Sequence, residues 1–294
     1  MAALEELQAA SLAASTRKQY QRSWEKFQKF ATLVGVPVTL PLSIPITMWF
    51  IAYLHGSGMS GSSVVTTMSA ISYFHKMGFH TDPTKNFFIS KLLVGAKNLH
   101  AAHDVRLPIT AAILESLLRA SFQVIPSQFC RMAVCAVMVL AFKGFFRIGE
   151  LLPRLQNAGS SVVQFADVLL IQDRATVTVR KFKHSSSKGP QVVHVCLAPA
   201  NFAAVLHQYF KARGNSSGPF FISSNGSLLL RAQFDKYLKS LLMFCGFSTS
   251  AFKGHSFRIG AATAAAARGE SDAQIRAAGR WSSDAFRKYI RITQ

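Results

Sequence analysis

The chain has 294 residues, half of them hydrophobic, and a formal net charge of +20 at neutral pH. Its length and apolar share suffice for more than one buried core, and so basic a chain points to a polyanionic partner: nucleic acid first, an anionic membrane surface second, a basic protein with no specific anion as the bland alternative. Its longest charge-free apolar run, MAVCAVMVLAF at 132–142, falls short of the roughly 20 residues a bilayer span needs, which argues against a membrane protein and for a helix buried on all sides.

The start, MAALEELQAASLAAS, is acidic where a secretory signal is basic, so no signal peptide is expected. Cys130, Cys135, Cys196 and Cys245 show neither metal-ligand spacing nor a dense disulfide pattern, and read as free thiols of a reducing compartment. The stretch STRKQYQRSWEKFQKFATLVG predicts a helix capped by Ser15 or Thr16 and closed by Gly35. Tyr20, Trp24, Phe27 and Ala31 form its inward stripe. Lys18, Arg22, Lys26 and Lys29 lie on another face, with only Glu25 nearby. A solvated face is the ordinary reading of such a stripe; the imbalance of sign favours a DNA-facing one.

Prolines 37, 41 and 45 lead into ITMWFIAYLHG, a short buried helix ending at Gly56. SGSSVVTTMSAISYFHKMG predicts a third helix, whose face of Ser62, Ser63, Thr66 and Ser69 suits close packing or a groove equally. DPTKNFFISKLLVGAKNLHAAHD predicts a fourth. Periodicity then lapses and Pro108 fixes a boundary, so the domains are drawn as 1–101 and 109–294 with a linker at 102–108. Residues 1–108 carry 10 basic and 5 acidic side chains, and residues 109–294 carry 23 and 8, so the second part is the more positive. There ATVTVRKFKHSSSKGPQVVHVCL alternates on both sides of a polar turn, the mark of a β-hairpin. The whole is mainly α with a small antiparallel sheet.

Charged residues that interrupt apolar runs carry the functional signal, because a buried charge is costly unless paired. Arg147 sits in AFKGFFRIGELLPRL with Glu150 three positions on, on one predicted helical face. An intrahelical ion pair at the surface is the competing reading. His255 and Arg258, in GHSFRIGAAT, repeat that spacing with nothing acidic close in sequence. Two arginines in apolar frames suit a bidentate clamp on a phosphate. The hairpin offers Lys181, Lys183 and Lys188 as proton donors, Trp281 an indole N–H, and Tyr289 a phenol able to attack phosphorus if cations surround it.

Arg147 with Glu150, a hairpin lysine, HSFR, GRW and Tyr289 stand in the order found in the tyrosine recombinases, the phage-integrase-like DNA strand-exchange enzymes, which residues 107–291 therefore resemble. LPIT, FRIGELL, HSFRIGAAT and GRWSSDAFRKYIR are similar, more narrowly, to the recombinases of DIRS- and Ngaro-type eukaryotic retrotransposons. The resemblance implies a helical, SAM-like core-binding domain followed by an α+β catalytic domain. It implies Arg147 and Arg258 as the scissile-phosphate clamp, His255 as general acid/base and Tyr289 as nucleophile. Trp281 stands where members place a His or Trp that donates to the phosphate, and Glu150 where they keep a supporting carboxylate. Lys183, in FKHS, best fits the general acid, with Lys181 and Lys188 as reserves and DNA contacts. The partner implied is double-stranded DNA, bound by a homo-tetramer, with no metal, nucleotide or other cofactor and a nuclear location inferred from the substrate. The resemblance departs at the end, where five residues follow Tyr289 and many members carry a further helix. Two alternatives stand beside it: a type IB topoisomerase-like relaxing enzyme, and a catalytically idle DNA-binding descendant of a mobile element.

Overall fold

The computed structural model describes residues 6–8, 10–99, 105–180 and 189–291. The chain divides into two compact units, Met1–Asp104 and Val105–Gln294. Among the described residues no helix is long and apolar enough to cross a membrane.

In the first unit, helix α1 (Ala14–Val34) turns Phe27, Phe30 and Ala31 fully inward, while Tyr20 and Trp24 rest half-buried on Tyr73 and Phe74. It ends at Gly35, whose φ of 69° is open to glycine at little cost and turns its N–H onto the Ala31 carbonyl. Its start differs from the sequence expectation. The helix opens one residue before Ser15, with Ala13 at the cap and no side-chain cap bond. Helix α2 (Ile44–Gly56) is capped by Ser43, with Pro45 in its first turn where no N–H is missed. Helix α3 (Gly61–Met77) is capped by Ser60, and α4 (Phe87–Leu99) follows a 3₁₀ turn at Pro83–Lys85. Phe27, Phe30, Phe50, Val64, Met68, Ile71 and Ile89 make the core.

One polar group is built into that core. His75 is fully buried; its Nε2 accepts the Leu42 N–H at 2.9 Å, and Nδ1 lies 2.7 Å from the Ile71 carbonyl. Since Leu42 must donate, the tautomer is fixed with the proton on Nδ1. His75→Phe keeps the bulk but strands the buried Leu42 N–H, while the Ile71 carbonyl keeps its helical bond. It is expected to lower the stability of this unit by about 1–3 kcal/mol, read as a lower denaturant midpoint at unchanged m-value.

In the second unit, α5 (Ala111–Val124) is capped by Thr110 and α6 (Gln128–Lys143) runs through the centre. Every residue of α6 from Ala133 to Phe142 is buried, as the apolar run predicts. Helix α6 packs against α5, α8 (Ala200–Arg213) and α10 (Ser256–Ala267) and against one strand of the sheet. The sheet has three antiparallel strands in the order β1 (Val168–Ile171), β2 (Arg174–Val179) and β3 (Gln191–Cys196). Val177 lies opposite both Val168 and Val193, so one face of the sheet is apolar and turned to the core. Strands β2 and β3 are the predicted hairpin; β1 adds a strand the sequence reading did not separate.

Helix α9 (Arg231–Phe244) and the short α7 (Ile148–Leu151) and α11 (Asp272–Ala278) also belong to the unit, with 3₁₀ segments at Gln156–Ser161, Phe165–Asp167 and Asp284–Tyr289. Leu107, drawn in the linker from the sequence, donates its N–H to the Ala251 carbonyl, and Ile109 donates to that of Ser256. This stretch is thereby fastened to the start of α10. The four cysteines are unbridged.

Candidate active site

Helix α6 stops at Gly144, and the chain turns through Phe145, which has a φ of 53°. Arg147 then takes the N-cap of α7 in an extended conformation. It is not inside a helix, so the expectation that Arg147 and Glu150 share a helical face is corrected. They meet because Glu150, at the third helical position, reaches back to the cap. One carboxylate oxygen accepts the Arg147 backbone N–H at 2.9 Å and the other the guanidinium Nη1, also at 2.9 Å. The Glu150 side chain is 3% exposed and that of Arg147 is 32% exposed. A buried carboxylate is thus paired and hydrogen-bonded, as burial demands.

Arg258, in the first turn of α10, is 0% exposed. Its two terminal nitrogens donate to the carbonyls of Phe145 and Gly279, and its guanidinium lies over the Trp281 ring, 4.1 Å from the centroid. Burial pushes the guanidinium down from its ordinary value to about 9, with Arg147 and Arg280 acting the same way and Glu150 opposing. It remains a cation at neutral pH.

Gly279 ends α11, and a Cβ there would fall 1.5 Å from the Trp281 ring. Only glycine lets the indole fold back over Arg258. The next residue, Arg280, has a φ of 57° and a side chain 7% exposed. It ion-pairs with Glu150 at 2.7 Å, donates to the Gly144 carbonyl at 3.2 Å and lies over the Phe146 ring. Burial lowers its pKa, which Glu150 opposes and Arg147 reinforces.

The tyrosine is delivered by the 3₁₀ turn. Phe286 is buried with Ala261, Ala262, Ala265 and Ile275 in a small apolar cluster between α10 and α11, and Tyr289 packs at its edge. The Tyr289 ring lies 4.9 Å from that of His255, 5.0 Å from Trp281 and 5.9 Å from the Arg258 guanidinium, all measured to ring centroids. Thr263 Oγ1 donates to the Tyr289 carbonyl at 3.3 Å and accepts the Arg291 N–H at 3.0 Å, holding the backbone on both sides. Exposed ion pairs, Arg287 with Asp272 at 2.8 Å and Arg276 with Asp284 at 3.5 Å, tie the turn to α11. Each is worth at most about 1 kcal/mol.

Six predicted residues, Arg147, Glu150, His255, Arg258, Trp281 and Tyr289, are thereby brought together. Lys181, Lys183 and Lys188 lie outside the described residues. Lys18, Arg22, Lys26 and Lys29 belong to the other unit and are all exposed. Arg22 and Lys26 line a 260 Å³ groove there with Ser62, Ser63 and Thr66, so part of the basic face of α1 lies beside part of the hydroxylated face of α3. Arg280 and Thr263 were missed. The trace of Arg280 in the sequence is an arginine between Gly279 and Trp281 with no acidic neighbour at helical spacing before it.

Chemically, two guanidiniums, those of Arg147 and Arg280, share one carboxylate, Glu150, and a third, that of Arg258, lies near enough to feel all three charges. Arg258 Nε, Arg280 Nε and Trp281 Nε1 are buried N–H donors without an acceptor among the described residues. Excess positive charge and surplus donors in one place suit an anion rich in acceptor oxygens.

No family model matches the chain, and no curated protein matches it in sequence. Solved structures do resemble it. The Tn1549 transposon integrase in complex with transposon right-end DNA superposes with a TM-score of 0.70 at 12% identity, over 99% of this chain and 94% of that one. The XerH site-specific recombinase bound to palindromic difH substrate gives 0.66 at 17% identity, over 92% and 75%. The lambda integrase bound to DNA gives 0.63 at 14%, over 97% and 91%. The chain has the fold of these proteins, mostly helical with a small three-stranded antiparallel sheet.

Proposed function

We propose that the chain is a tyrosine recombinase that cleaves and rejoins double-stranded DNA through a 3′-phosphotyrosyl intermediate. The observation that carries this reading is the pairing of Arg147 and Arg280 with one carboxylate next to the buried Arg258, with surplus buried N–H donors, beside the Tyr289 phenol. A phosphodiester supplies the negative oxygens such a site is built to hold, and guanidinium forks match them in geometry. The likeness to DNA-bound recombinases and integrases supports the same partner.

In this reading Arg147 and Arg258 grip the scissile phosphate and Trp281 Nε1 donates to one of its oxygens. Tyr289 Oη bonds to phosphorus as the P–O5′ bond breaks. The phenolic proton passes to His255, and the departing 5′-oxygen takes a proton from Lys183, with Lys181 and Lys188 as the other hairpin candidates. Charge growing on the phosphorane meets cations already in place, the term that dominates much of catalysis. The phosphotyrosyl bond keeps the energy of the broken linkage, so a 5′-hydroxyl from another strand can reverse the step on a new partner. The basic face of α1, with Lys18, Arg22, Lys26 and Lys29, supplies DNA backbone contacts. Four protomers on two duplexes, a mobile element of the DIRS/Ngaro kind as source, and the nucleus as location complete the proposal.

The test is a denaturing gel with a randomised pool of nicked duplexes, in which the nick lets the released 5′-hydroxyl fragment escape. Wild-type protein is expected to form a covalent protein–DNA band that persists with a chelator. Tyr289→Phe is expected to form none while keeping salt-sensitive DNA binding. Binding without a band in the wild type would mark an idle DNA-binding descendant. A band accompanied by relaxation of supercoils, with no joining between duplexes, would mark a topoisomerase-like enzyme.

A further inference from the structure

Glu150 is held from two sides. One oxygen takes the Arg147 guanidinium; the other takes both the Arg147 backbone N–H and the Arg280 guanidinium, which is itself fastened to the Gly144 carbonyl and lies 4.8 Å from the Phe146 ring centroid. Arg280 follows directly on Gly279, whose carbonyl holds Arg258, and precedes Trp281, which covers Arg258. Residues 279–281 therefore grip the 144–150 turn at several points, and the orientation of Arg147 depends on a carboxylate that Arg280 fixes. The left-handed backbone at 280, costly for a side chain of this size, is what turns that side chain inward.

We propose that Arg280 is a positioning residue for DNA cleavage, acting through Glu150 to aim Arg147 at the scissile phosphate. The assignment rests on the recombinase reading above. It differs from a structural ion pair in what it predicts. Loss of Arg280 slows the chemical step and leaves DNA affinity alone, because its terminal nitrogens are taken up by Glu150 and the Gly144 carbonyl and its side chain is only 7% exposed. Partners that orient the groups gripping a ligand matter by about 10–100-fold, on the scale known for metal sites.

The experiment measures the rate of covalent complex formation at saturating nicked duplex, the half-saturating DNA concentration and the thermal midpoint. It compares the full chain with Arg280→Met, Arg280→Lys, Glu150→Gln and the Arg280→Met/Glu150→Gln pair. Expected are a loss of about 10–100-fold in rate for Arg280→Met with unchanged half-saturation, and a smaller loss for Arg280→Lys, which retains one donor to Glu150. The double variant is expected to be no slower than Glu150→Gln alone, since the two act as one unit. Wild-type rate in Arg280→Met, or losses that multiply in the double variant, overturns the assignment while leaving the recombinase reading intact. Rates that fall in both Arg280 variants only in proportion to lost folded protein also overturn it, in favour of a structural role. A wild-type protein that forms no covalent product overturns the functional reading and the assignment with it.

Discussion

Arg258→Lys is expected to abolish DNA cleavage, by at least about 10²–10³-fold, while the protein still binds DNA. The reason is geometric. Arg258 spans two backbone carbonyls, those of Phe145 and Gly279, with the plane of its guanidinium against the Trp281 ring. A lysine ammonium is a point donor on a flexible stem; it can satisfy one of those carbonyls and cannot present a flat fork to a phosphate. The stranded carbonyl costs about 1–3 kcal/mol in addition. Arg258→Met separates the two effects. It also strands carbonyls but removes a fully buried charge that Arg147 and Arg280 repel, so its stability loss is expected to be smaller than that of the lysine variant. Its cleavage should be no better. Denaturant melts read the first quantity and the covalent band the second.

Gly260→Ala is expected to be the most destabilising single methyl in the second unit, by about 3 kcal/mol or more. A Cβ at this position would sit 1.8 Å from the Ile109 carbonyl oxygen, a backbone atom held by the neighbouring Ile109-to-Ser256 bond. Relief requires α10 to withdraw from the 107–109 stretch, and Ser256 and Arg258 share its first turn. Cleavage should fall along with stability. Gly149→Ala is the control, since nothing lies within 4 Å of its Cβ position. A chain that tolerates both substitutions equally would show that α10 is not pinned by this crossing.

Legibility from sequence tracked how local the cause was. The alternation through Ala175, Val177 and Val179 and again through Val193 and Val195 marks β2 and β3, because period two is written in the residues themselves. Strand β1, VLLI, lacks that alternation and is a short apolar run equally suited to helix or strand. Arg147 and Arg258 were readable because each breaks an apolar run. Arg280 was not, because Ser282, Ser283 and Asp284 after it resemble surface, and its burial is produced by the left-handed turn that follows Gly279. The pairing of Arg147 with Glu150 was legible as a spacing, although a cap and not a helical face brings it about. The grip of Thr263 on the tyrosine backbone joins residues 26 and 28 positions apart, and a hydroxyl on an Ala-rich helix carries no sign of it.

Helix α6 bears on how this protein is made. From Ala133 to Phe142 it has no face suited to water, so it has no soluble existence ahead of its neighbours. Three of those neighbours, β3, α8 and α10, are encoded downstream, the last of them beginning only at Ser256. At about 5–20 residues per second a ribosome needs several seconds or more to travel from Phe142 to that point. Throughout that interval the nascent chain has its most apolar segment only partly covered, by α5 at first and by β3 and α8 later. The second unit therefore closes late, and its yield in a cell depends on what shelters α6 until α10, which carries Arg258 of the candidate site, emerges to complete its cover.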